Sequence, residues 1–264
     1  MRAILNPLVA PPPSEVPLPN APLVRVIARI GFPAIVSIGK VEFIAPFQEA
    51  IRSAYPVLRP EQTVVFAVGG VGNVPPQTTW RFSDVEGAWR VSLASNFVAV
   101  ETTKYVSRAN FVERLDLVIS ALAKHINPQL MDRIGVRYID RVRGEALRDL
   151  TKYVHPEVIG VLATEVAHHV QHSMTESLFV VPNGKTQMLA RWGQMPADAT
   201  VDPAAIEPID EPSWILDLDM FCPEARPFSK ELVINEYRAY SERIYTFFRW
   251  AVTDEFLKHC GGQA

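Results

Sequence analysis

Two hydrophobic periods alternate along the chain, and each predicts its own kind of element. A helical spacing of three and four runs from Ser107 to Ile126, where Phe111, Leu115, Val118, Ile119 and Leu122 form one apolar stripe and Ser107 can cap the start. Shorter stretches with the same spacing predict a helix over 40–55, with Phe43, Phe47, Ala50, Ile51 and Ala54 inward, and a long C-terminal helix over about 230–258. Runs rich in β-branched and aromatic residues predict strands at 22–33, 63–68, 78–83, 88–94 and 97–102. A second set is expected at 133–143, about 164–181, 185–194 and 213–221, with a short helical segment near 145–153.

These elements come in the same order twice: strand, helix, antiparallel meander, long helix. The expected fold is therefore α+β with two pseudo-repeated halves, residues 22–131 and 132–264, joined in one compact unit. Seven prolines between Pro7 and Pro22 keep residues 1–21 out of helix and ladder, so this segment is read as an extended arm. A polyproline ligand for a partner is its functional reading. Gly69, Gly70 and Gly72 suggest a phosphate loop at first sight. No Gly-Lys-Ser/Thr follows them, so they are read as a turn between strands.

The strand Arg133–Arg143 carries the most unusual chemistry. Alternation places Arg133, Arg137 and Arg141 on one face with Gly135 and Ile139. A dry interior does not tolerate such a row unpaired, so it calls for carboxylates or an anionic ligand. Arg25 and Arg29 form a shorter row on the first strand. The Arg133-Ile-Gly-Val-Arg-Tyr-Ile-Asp140 run, with Trp80-Arg-Phe-Ser, Trp89-Arg-Val-Ser-Leu and Leu216-Asp-Leu-Asp219, resembles a sporadically distributed family of uncharacterised bacterial and archaeal proteins. The resemblance implies one compact α+β unit and carries no activity or catalytic residues with it.

Charge changes the picture in one respect. The net charge of −3 argues against nucleic acid as a partner. Residues 1–143 hold 16 basic against 11 acidic side chains, and 144–264 hold 10 against 18, giving +5 and −8. The arginine row therefore has acidic partners available within the chain. One source is Asp217-x-Asp219, whose carboxylates share a strand face. Another stretch, 196–212, carries Asp198, Asp202, Glu207, Asp210 and Glu211 without a basic residue and reads as a solvated connection. Pairing of Asp217 and Asp219 with the arginines is the preferred expectation, and a divalent-metal site is its competitor.

His168, His169 and His172 are the other metal-like group. On a strand, residues four apart are separated by roughly 13 Å, too far for one ion. Two cysteines without a CxxC pair predict no disulfide framework and a reducing cytoplasm, and no apolar run predicts a membrane partner. No motif calls for a cofactor. The aromatic residues Tyr245, Phe248 and Trp250 widen the apolar face of the last helix and suggest a homodimer contact there. The sequence thus leads to a cytosolic, non-catalytic binding or assembly protein for a protein partner or small anionic ligand at Arg133, Arg137 and Arg141. Its competitor is a metal-dependent hydrolase or nuclease using Asp217, Asp219, His168 and His172.

Overall fold

A computed structural model describes residues 5–63, 77–182 and 184–263. In chain order the elements are β1 (Leu23–Gly31), α1 (Val41–Ile51), β2 (Val57–Thr63), β3 (Gln77–Ser83), β4 (Trp89–Ala94), β5 (Phe97–Thr102), α2 (Arg108–His125) and β6 (Leu130–Met131). They continue with β7 (Arg133–Arg143), α3 (Glu145–Arg148), α4 (Leu150–Tyr153), α5 (Pro156–Ile159), β8 (Ser173–Val180) and β9 (Gln187–Met195). The last are β10 (Ser213–Cys222), β11 (Arg226–Pro227), α6 (Lys230–Ala251) and α7 (Asp254–His259). The fold is mixed α and β with a large antiparallel sheet. No described helix is long and apolar enough to cross a membrane.

The chain forms two compact units, and neither is a continuous stretch. The first comprises Met1–Val26, Arg137–Phe221 and Ala239–Ala264; the second comprises Ile27–Val136 and Cys222–Arg238. This interleaved division differs from halves meeting at residue 131, and the expected pseudo-repeat is not established by it. The strand expected over Thr63–Val68 and the Gly69–Asn73 turn fall, apart from Thr63, outside the described residues.

In the second unit the meander β2-β3-β4-β5 follows sequence order. The β4–β5 hairpin closes over only Ser95-Asn96, because Ala94 pairs directly with Phe97. The β3–β4 turn passes through Gly87 at φ 71°, a left-handed value that a side chain would resist. Helix α2 forms where its pattern placed it. Ser107 Oγ accepts from Asn110 N at 3.1 Å, and all five expected stripe residues are buried. Its end is marked by Asn127 at φ 52°, ahead of Pro128. Phe111 stacks on Tyr237 at 4.8 Å and lies 5.3 Å from Trp89, which together anchor the helix face. Helix α1 buries Ile44, Phe47 and Ile51, so its core face is turned slightly from the expected one, and Phe43 and Ala50 are not buried.

In the first unit β7, β10, β9 and β8 lie in that order. Strand β10 is buried continuously from Ser213 to Leu218, as a central strand should be. The strand expected at 164–181 begins only at Ser173. Ser173 pairs with Gln194, and two residues further along β9 stands Pro196, which cannot extend the ladder. Residues 161–170 instead close a string of short turns, Thr164 N to Val161 O, Ala167 N to Thr164 O and Val170 N to Ala167 O. Strands β8 and β9 approach closely at Gly193, where an added Cβ would lie 1.8 Å from Ser173 O.

Candidate functional site

The arginine face of β7 supplies the centre of the first unit. Arg137 Nε and Nη2 grip Asp217 on β10 in a two-pronged fork, at 2.7 Å and 2.8 Å. Its remaining Nη1 donates to Asp202 at 2.6 Å. Asp217 is fully buried and sits opposite Arg191 on β9, whose Nη2 lies 3.1 Å from its second oxygen. One carboxylate thus bridges two guanidinium groups, and a ladder Glu176–Arg191–Asp217–Arg137 crosses neighbouring strands. The geometry matches the two donors of a guanidinium edge to the two oxygens of a carboxylate, the strongest form of this pair.

The electrostatics follow from that geometry. Burial works against the Arg137 charge, but the hydrogen bonds and charges of Asp217 and Asp202 more than offset it and hold the guanidinium protonated well above its usual range. Burial pushes Asp202 up, while Arg137 outweighs that and keeps its carboxyl below the usual range. On the opposite face of β7, Asp140 is 7% exposed. Burial, reinforced by the Asp217 charge, pushes its carboxyl up to about 7. Buried Cys260 is pushed up to about 11, by desolvation first and by Asp140 second, which makes it a poor nucleophile at neutral pH.

The acidic connection is not the solvated loop that its composition suggested. It folds on itself through Ala205 N and Ile206 N to Asp202 O, at 3.0 Å and 2.9 Å, and buries Ala205 and Ile206. In doing so it lays acceptors along the arginine row: Asp202 to Arg137, Glu207 O to Arg141 Nη2 at 2.6 Å, and Glu211 to Arg143 at 3.1 Å. Arg141 is drawn below its usual range, by burial first and by the Arg143 charge second.

The predicted site residues are therefore only partly brought together. Arg137 and Asp217 meet. Arg133 is eight residues from Arg141, roughly 26 Å along a strand, so the row cannot converge on one small ligand; Arg133 is also engaged elsewhere. Asp219 is half-buried and has its own partner. His168 and His169 are exposed on a short 3-10 turn, their rings 3.9 Å apart, and His172 is exposed in the turn ahead of β8. Among the described residues no group of three or more His, Cys, Asp or Glu is placed to hold a metal ion. Of the residues in the metal reading, Asp217 has both oxygens engaged by arginines.

A second feature was missed from sequence, although its two components were visible. The proline-rich arm is seated on α6 and α7. Arg243 Nη1 donates to Pro7 O at 2.8 Å and to Ala10 O at 2.7 Å. Tyr245 Oη accepts from Val16 N at 2.9 Å and donates to Ser14 O at 3.3 Å. Asn20 N donates to Cys260 O at 3.1 Å, and Val16 and Leu18 cover Gly262, where an added Cβ would meet both at 2.8 Å. Pro13 and Val16 are half-buried while Pro11, Pro12, Ser14, Glu15 and Pro17 are exposed. That threefold spacing is the repeat of a polyproline helix. These four hydrogen bonds of Arg243 and Tyr245 all go to backbone atoms of the arm.

The first unit thus combines a charged centre paired within the chain with a proline-rich arm held through its own backbone. No protein-family model matches the sequence, and no curated protein is similar enough to count as a relative.

Proposed function

We propose that this is a non-catalytic binding and assembly protein that recognises an extended, proline-rich segment of polypeptide along α6 and α7. The observation that carries the reading is the seat itself: Arg243 and Tyr245 take hold of three carbonyls and one amide of the arm's backbone. Proline-rich segments suit such recognition, because their extended shape is prepaid in the free chain and their carbonyls stay open. Tyrosine offers rigid contact area at low entropic cost, and arginine adds several donors in one planar group. Four hydrogen bonds at roughly 1 kcal/mol net each make a grip that competition can release.

The test uses the full-length chain with its own arm disabled by P13D/V16D/L18D. A fluorescent peptide spanning residues 5–20 should bind this variant saturably, and binding should weaken at least tenfold when R243A is added. A peptide that fails to bind, or binds regardless of Arg243, refutes the reading.

A second reading, a small anionic ligand at Arg137, has one observation in its favour. Among the described residues Arg191 Nε finds no hydrogen-bond acceptor, with Glu176 3.9 Å away, while Asp202 holds Arg137 by one hydrogen bond from a side chain 30% exposed. A phosphate or carboxylate that displaced Asp202 would meet both guanidinium groups. D202N should then raise the thermal shift given by inorganic phosphate or citrate, and an unchanged shift removes the idea.

A further inference from the structure

We infer that the partner segment is the arm of a second copy, so that two chains assemble by exchanging their N-terminal arms. The inference rests on the reading of the seat given above. Its basis is that the one segment seen to fit the seat is residues 7–20, and every copy carries both the segment and the seat. What returns the arm to its own chain is a single turn. Ala21 N donates to Leu18 O at 3.2 Å across Pro19-Asn20, and Pro22 O then accepts from Arg141 N at 2.8 Å as β1 begins. Asn20 and Ala21 are exposed. Opening the turn at Pro19-Asn20 redirects the whole arm while leaving β1 in place. Such a short, proline-bounded hinge is where exchange between identical chains costs least, since the same contacts form within or between copies. The closed form is favoured at low concentration by the high local concentration of a tethered arm, so exchange is a matter of concentration and of hinge strain.

Two full-length variants separate the donor from the acceptor. In R243A/Y245F the seat is broken and the arm intact; in P13D/V16D/L18D the arm is broken and the seat intact. Neither should self-associate. Mixed at equal micromolar concentrations, they should form a one-to-one complex at the mass of two chains in analytical ultracentrifugation. Cooperative thermal unfolding of each variant confirms that it is folded, with Y245F alone replacing the double variant if that one is not. Absence of the mixed complex overturns arm exchange. If the 5–20 peptide still binds the arm-broken variant in that case, the seat stands as a site for another protein; if it does not, both ideas fall together.

Discussion

Replacing Asp140 by asparagine should make the protein more stable at alkaline pH and leave it nearly unchanged in acid. Asp140 is buried on β7, with its carboxyl raised from 3.8 to about 7. In the unfolded chain the same group ionises at its ordinary value. Between about pH 4 and pH 7 the folded protein therefore holds a proton that the unfolded chain has released, and stability falls as pH rises through that window. Three pKa units at 1.36 kcal/mol each set the cost of ionising Asp140 in place at about 4 kcal/mol. Water entering beside the carboxylate reduces it, so the expected gain for D140N at pH 8 is about 2–4 kcal/mol. The amide has nearly the shape of the protonated carboxyl and never ionises, so the two proteins should coincide near pH 4. Urea denaturation of parent and variant from pH 4 to pH 8.5, followed by tryptophan fluorescence, gives the difference curve and removes groups common to both. A difference that stays flat across this range, or a variant less stable than the parent at pH 8, refutes the reasoning.

The arginine centre predicts an order of effects. D217N should cost about 3–5 kcal/mol, because it leaves Arg137 and Arg191 facing a neutral amide in a buried site. D202N should cost no more than about 1 kcal/mol, since its side chain is partly exposed and makes one hydrogen bond to Arg137; equal losses in urea titrations would contradict the geometry. G193A should lower stability by about 2 kcal/mol or more, as its methyl cannot coexist with Ser173 O without parting β8 from β9. An unchanged melting temperature would show that contact to be absent. S107A should cost about 1 kcal/mol through loss of the α2 cap, with S107D recovering much of it. Recovery by neither aspartate nor asparagine would place the loss elsewhere.

Helix α2 and the β3–β5 meander were legible because each writes its period over several turns or strands and punctuates its ends with a capping serine, a glycine or a two-residue turn. Strand β7 was legible for the same reason, and its arginines announced that partners must exist. Which partners could not be read with the same certainty. Asp217 was a candidate through its strand face, but Arg191 has no pattern of its own and becomes visible only when β9 registers against β10. Asp202 was hidden for another reason. Its loop looks solvated by composition, and only the burial of Ala205 and Ile206 turns its acid groups inward. The false strand over 164–172 shows the opposite error: its residues favour pairing, but Pro196 denies them a ladder. Arg243 and the arm lie more than 230 residues apart, and nothing local connects a helix arginine to a distant carbonyl.

The interleaving of the two compact units has a consequence for how the chain comes into being. The second unit needs Cys222–Arg238 and the first needs Ala239–Ala264. The second unit therefore cannot close before residue 238 has been made, nor the first before the segment 239–264 is in place, so apolar strands made earlier stay uncovered until then. Shortening the chain at β10 would not yield one intact unit and one lost; it would leave both open at once, with aggregation competing against completion.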